Sequence, residues 1–74
     1  MNSHAYKTVK VLGRDYRVTS NSKFVTILDA RGNMCFHLNV IDRKATQPCD
    51  TFRRYCLGLG VTPKQMIVTI LKNV

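Results

Sequence analysis

The stretch KFVTILDARGNMCFHLNV, residues 23–40, decides the fold. Its second half alternates in polarity: Met34, Phe36, Leu38 and Val40 are apolar, and Cys35, His37 and Asn39 lie between them. A period of two is typical of a strand with one buried face. Gly32 lies in the intervening break, where a tight hairpin loop needs a positive φ. We therefore predict a β-hairpin with Met34, Phe36, Leu38 and Val40 on the face that the rest of the chain covers.

The residues before this hairpin predict two further strands. Residues 6–12 place Val9 and Val11 on one side, and residues 16–19 place Tyr16 and Val18 inward, with turn-forming residues at 13–15 and 20–22. Residues 6–40 therefore predict a four-stranded antiparallel meander, preceded by a flexible tail at 1–5. The outer face of the sheet would carry Thr8, Lys10, Arg17, Thr19, Phe24 and Thr26.

Residues 50–73 predict a helical hairpin. Asp50 is placed to cap a first helix at 51–57, which Gly58 and Gly60 end. Thr62 is placed to cap a second helix at 63–73 that begins with a proline. This second helix is apolar over more than one stripe, so it must be covered on two sides: by the sheet, and by the first helix or a second copy of the chain. The predicted fold is α+β: a single domain over 1–74, with a four-stranded antiparallel meander followed by two short helices on the sheet.

The charge is the strongest indication of function. Twelve lysines and arginines oppose four aspartates, for a net charge of +8. Such an excess favours an anionic partner, DNA or an acidic protein surface. Seventy-four residues leave little room for a substrate pocket, and no catalytic motif is present, so a non-enzymatic binding protein is expected. No apolar run is long enough to cross a membrane.

The three cysteines do not predict a disulfide framework. Their number is odd and no signal peptide precedes them, so we expect reduced thiols and a cytoplasmic protein. Cys35 and His37, which share one side of the predicted strand, could bind zinc together with Cys49 and Cys56. The spacing contains no Cys-x-x-Cys pair, so buried free cysteines are the favoured interpretation, with no metal and no cofactor.

Residues 57–66, LGLGVTPKQM, resemble the turn and the start of the recognition helix in helix-turn-helix proteins. The resemblance makes Gly60 the turn glycine and Cys56 the small residue four positions before it. It implies that Thr62, Lys64 and Gln65 begin a helix that reads DNA. The sequence departs from the motif further along, where Ile67, Val68 and Leu71 are apolar. A plain capped helical hairpin explains the same residues.

Two functional hypotheses follow. The first is a nucleic-acid-binding or regulatory protein that binds double-stranded DNA mainly by phosphate neutralisation, with modest sequence reading, through Arg43, Lys44, Arg53, Arg54 and Lys64. The outer sheet face is a second candidate platform, because basic residues are interleaved with aromatic ones along the chain. The alternative is a small interaction module, such as a phage-type accessory inhibitor, that docks on an acidic surface of a larger protein. A homodimer through the second helix is a further option. The predicted binding residues for either partner are Lys10, Arg17, Arg43, Lys44, Arg53, Arg54, Lys64 and Gln65.

Overall fold

The computed structural model describes residues 6–74, so the predicted tail at 1–5 lies outside the described residues. The strands are β1 (Lys7–Val11), β2 (Arg14–Ser20), β3 (Phe24–Asp29), β4 (Met34–Asn39) and β5 (Lys44–Ala45). They form one antiparallel sheet in chain order. The helices α1 (Asp50–Leu59) and α2 (Pro63–Lys72) follow. The predicted α+β architecture is confirmed, with the short fifth strand as an addition.

The turn between β1 and β2 lies earlier than predicted. Leu12 and Gly13 both have positive φ, at 52° and 79°, which is what a two-residue hairpin turn requires. Arg14 and Asp15, predicted as turn residues, therefore belong to β2. The β3–β4 turn is held by Asp29, whose Oδ1 accepts hydrogen bonds from the backbone N–H groups of Arg31 and Asn33.

The prediction that Met34 and Val40 belong to the buried face of β4 is wrong. Ile27 pairs with Phe36 but Leu28 pairs with Met34, so a bulge makes Cys35 an extra residue in β4. Cys35 is consequently buried, whereas Met34 is 50% exposed and pairs with Leu28. Val40 lies beyond the strand and is also exposed.

The helix caps follow the sequence at α2 but not at α1. Thr62 and Gln65 form a capping box, with Pro63 as the first helical residue. Asp50, predicted as the cap of the first helix, is instead its first residue and contacts Arg53; the cap position is Cys49, which makes no side-chain capping bond. Gly58 lies inside α1, which Gly60 ends with a φ of 75°.

The core lies between the sheet and the helices. Val9, Tyr16, Val18 and Ile27 contribute from one face of the sheet, which we call the helix face. Phe52, Cys56, Met66, Ile67 and Ile70 contribute from the helices. The rings of Tyr16 and Phe52 meet edge to face at 6.3 Å. We call the opposite side of the sheet the open face, because no helix or strand within residues 6–74 covers it. Within the same residues, neither helix is long and apolar enough to span a bilayer.

Candidate functional site

The open face carries polar, aromatic and basic side chains in neighbouring rows. Cross-strand partners share a face in an antiparallel sheet, so the pairing groups these residues without reference to their chemistry. Thr8 pairs with Arg17, Thr19 with Thr26, Thr26 with His37, Phe24 with Asn39, and Asn39 with Lys44. Five of the six outer-face residues named from the sequence lie in these rows, together with His37, Asn39 and Lys44, and the sixth, Lys10, pairs with Asp15 on the same face.

A histidine and a phenylalanine form the centre of this face. The rings of Phe24 and His37 lie 5.7 Å apart between centroids, tilted by 37°. The hydroxyl of Thr26 is 2.9 Å from Nδ1 of His37, a hydrogen-bond distance. Thr26 is only 5% exposed. This bond therefore fixes the imidazole ring from beneath, and the Nε2 atom makes no hydrogen bond to the described part of the chain.

Three cations lie on the strands to either side of the ring pair. Lys10 on β1 and Arg17 on β2 lie on one side, and Lys44 on β5 lies on the other. Arg17 is opposite Leu28, four residues along β3 from Phe24. Asp15 is the one carboxylate that the pairing places on this face, opposite Lys10. The single ion pair found within residues 6–74 joins Arg53 to Asp50 on α1, so none of the three cations is held by a carboxylate there. The open face therefore has a positive charge on both sides of an aromatic centre.

The other predicted binding residues lie elsewhere. Arg53 and Arg54 are on α1, and Lys64 and Gln65 are at the start of α2, all on the helix side of the sheet. Arg43 lies in the turn before β5, with a φ of 56°. The cations Arg43, Lys44, Arg53 and Arg54 do not form a single patch, because Lys44 pairs with Asn39 on the open face. Seven of the eight predicted residues are therefore divided between the two sides of the sheet, and Arg43 lies in a turn.

Two of the helix-side residues already have structural partners. The Arg53 guanidinium donates a hydrogen bond to Asp50, and this bond, with the positive charge behind it, lowers the pKa of the Asp50 carboxyl. The side-chain oxygen of Gln65 accepts the backbone N–H of Thr62 at 2.9 Å. Gln65 therefore caps its own helix, which weakens its case as a residue that reads DNA.

The cysteines are core residues. Cys35 and Cys56 are buried, and Cys49 is partly buried against the same cluster. Burial raises the pKa of the Cys35 thiol to about 12, and the neighbouring Cys49 adds to the increase. Burial also raises the pKa of Cys56. Since a thiolate is the reactive and metal-binding form, this environment suits structural rather than reactive thiols.

The geometry contradicts the assumption behind the zinc alternative. The bulge turns Cys35 into the core, whereas His37 lies on the open face beside Phe24, so the two do not share a side of β4. Within residues 6–74 no three histidine, cysteine or acidic side chains are grouped as metal ligands would be.

Two polar features escaped the sequence analysis. His37 and Asn39 were not included among the binding residues, although their alternation with apolar neighbours had placed them on the polar side of β4. Combining that alternation with the β3–β4 register would have joined His37 to Thr26.

The guanidinium of Arg14 lies 3.9 Å above the centre of the Tyr55 ring, a cation–π contact between β2 and α1 that no local pattern indicates.

Comparisons with known proteins leave the surface chemistry as the guide to function. No protein-family model, curated protein or solved structure matches the chain. The open face is the surface on which basic and aromatic side chains come together, so it is the candidate functional site.

Proposed function

We propose that this protein is a non-enzymatic, cytoplasmic nucleic-acid-binding protein that holds a single strand across its open face. The observation that supports this most directly is the Phe24–His37 ring pair on the open face, with Arg17 on the strand to one side and Lys44 on the strand to the other. Bases stack on such rings and phosphates bind the cations beside them. Three free cysteines suit a reducing compartment.

A single strand fits the open face better than a duplex does. Five strands at a spacing of about 4.8 Å form a surface about 19 Å wide, whereas the major groove is about 12 Å wide and admits a helix or a two-stranded ribbon. The alternative reader of a duplex is α2, but its exposed side includes Val68 and Leu71. Unstacked bases of a single strand can instead lie flat on an open sheet.

The basic and the aromatic side chains of the open face have different roles in the proposed binding. Lys10, Arg17 and Lys44 supply charge, which makes affinity salt-dependent and largely independent of sequence. Phe24 and His37 supply the stacking surface, worth about 1–3 kcal/mol for each stacked base. The hydrogen bond between Thr26 and His37 holds the imidazole in place before a ligand arrives, which reduces the ordering cost of binding.

The first prediction is that removing the open-face charge weakens single-strand binding and lowers its salt dependence. The test compares Lys10→Gln/Arg17→Gln/Lys44→Gln with wild type on a labelled single strand and on its duplex, at about 50 and 200 mM salt. Each phosphate contact on a single strand contributes about 0.7 to the log–log salt slope, so losing three should lower the slope by about 2.

The matched control is Arg54→Gln/Lys64→Gln/Lys72→Gln, which removes the same charge from the helix side. It should keep the wild-type affinity and slope for the single strand. Equal weakening by both triple variants would mean that binding follows net charge alone, and no single-strand binding by wild type at the lower salt would overturn the proposal. Preferential duplex binding lost only in the helix-side variant would move the site to the helices.

A further inference from the structure

An apolar groove lies on the helix side, away from the open face. It has a volume of about 510 Å³ and runs beside α2. Its lining includes Phe36 and Leu38 from β4, Pro48 before α1, and Ile67, Val68 and Leu71 from α2. Three separate parts of the chain thus contribute carbon side chains to one continuous surface.

The groove accounts for the second apolar stripe of α2. Met66 and Ile70 point into the core, and Ile67 is buried beside them. Val68 and Leu71 are outside the core and remain 43% and 36% exposed. A helix that is apolar beyond the stripe facing its own core usually has a partner on the second stripe. The sheet and α1 leave Val68 and Leu71 partly open to solvent.

The charges at the border of the groove indicate the chemistry of the partner. Arg53 and Lys64 line it, and no carboxylate does. Lys64 has no ion-pair partner within residues 6–74, and the Arg53–Asp50 pair is solvent-exposed, so exchanging Asp50 for another carboxylate costs little. A second copy of this chain would bring the same two cations against each other, which disfavours a symmetric dimer.

We propose that this groove binds an amphipathic helix of another protein, with acidic residues beside its apolar stripe. The part of α2 from residue 63 to 71 rises about 12 Å, slightly more than two helical turns. A helix of about three turns could lie along it, with apolar side chains entering the groove and carboxylates reaching Arg53 and Lys64. The proposal does not depend on nucleic-acid binding, because the open face lies on the other side of the sheet.

The test uses a pair of designed peptides. One is a labelled helical peptide of about 16 residues with leucines at i, i+3, i+4 and i+7 and glutamates beside them; its twin has lysine in place of each glutamate. Anisotropy titrations measure affinity, and methyl NMR shifts locate the contact. The acidic peptide should bind saturably and shift Ile67, Val68 and Leu71, whereas its twin should not bind.

The variants distinguish specific binding in the groove from non-specific hydrophobic binding elsewhere on the surface. Val68→Ser/Leu71→Ser should weaken binding of the acidic peptide at least about tenfold, as loss of an interface centre does. Lys64→Glu should weaken it without removing apolar surface. Leu57→Ser is the matched control: Leu57 is 80% exposed but lies outside the groove, so binding should be unchanged. Circular dichroism checks that each variant is folded.

Three results would overturn the proposal. These are equal binding of both peptides, equal loss in Leu57→Ser, or a wild-type dimer in sedimentation that Val68→Ser/Leu71→Ser dissociates, which would make a second copy the occupant. The Lys10→Gln/Arg17→Gln/Lys44→Gln variant should bind the acidic peptide normally. Failure of the groove proposal and failure of the nucleic-acid proposal can therefore be distinguished.

Discussion

Asp29 shows how one carboxylate organises a turn. Its Oδ1 accepts the N–H groups of Arg31 and Asn33, and its Oδ2 accepts the side-chain amide of Asn33 at 3.1 Å. Partial burial alone would raise the pKa of Asp29, but the hydrogen bonds from Asn33 and Arg31 and the positive charge of Arg31 outweigh it and lower the pKa below its usual value. The charged carboxylate is therefore the form that the folded turn favours.

The lowered pKa of Asp29 makes the free energy of unfolding depend on pH in the acid range. Because the folded pKa lies below the unfolded one, the contribution of Asp29 is present above the unfolded value and is lost as the pH falls through the folded value. Asp29→Asn should lower the free energy of unfolding by about 1 kcal/mol at neutral pH, and the difference should disappear in strong acid. Urea melts at about pH 7 and pH 2.5 measure this, with Asp15→Asn as the charge control. A difference that is the same at both pH values would show that the hydrogen bonds to the charged form do not contribute.

At the scale of elements, the hairpin of β3 and β4 shows what local patterns can and cannot predict. Period-two alternation located the main strands, because alternation depends only on one buried face. It could not locate the bulge, because the extra residue is defined by the pairing of Ile27 and Leu28 with a second strand. For the same reason the sequence placed Cys35 and His37 on one side and missed their separation.

The remaining differences have similar causes. β5 contains only two residues, Lys44 and Ala45, which is too short for any periodic signal, so no local pattern indicated that Lys44 joins the open face. Asp50 is an acceptable cap by residue type, but the chain begins α1 one residue earlier, and the carboxylate contacts Arg53 instead. The cap at Thr62 was predictable because Thr62, Pro63 and Gln65 carry the signal within one helical turn.

The bulge makes a direct prediction about two apolar residues that the sequence alone treats alike. Ile27 is fully buried under the helices, so Ile27→Ala should cost about 2–5 kcal/mol of folding free energy. Met34, which the alternation had placed in the core, lies half-exposed on the open face, so Met34→Ala should cost less than about 1 kcal/mol. Denaturant melts of the two variants decide the register. A large loss for Met34→Ala would show that β4 is paired without the bulge.

At the scale of the whole molecule, the main feature is an excess of positive charge that few ion pairs offset. A net charge of +8 on 74 residues is opposed by a single ion pair within residues 6–74, Arg53 with Asp50, and that pair is solvent-exposed. The folded chain therefore holds its cations closer together than the unfolded chain does, with little attraction to offset their repulsion. Both proposed surfaces use this excess: the open face for phosphates and the groove border for carboxylates.

The last prediction follows from that imbalance. Salt screens repulsion between exposed charges, and within residues 6–74 it has a single exposed ion pair to weaken, so added NaCl should stabilise the fold. Between about 20 and 500 mM NaCl, Tm of nucleic-acid-free protein should rise by several degrees, since about 1 kcal/mol moves Tm by about 4–8 °C in a domain of this size. Lys10→Gln/Arg17→Gln/Lys44→Gln lowers the net charge from +8 to +5, as three cations are removed, and should show a smaller rise. A Tm that falls with salt would mean that attractive pairs outweigh the repulsion, and that the cations are compensated within the chain rather than available to a partner.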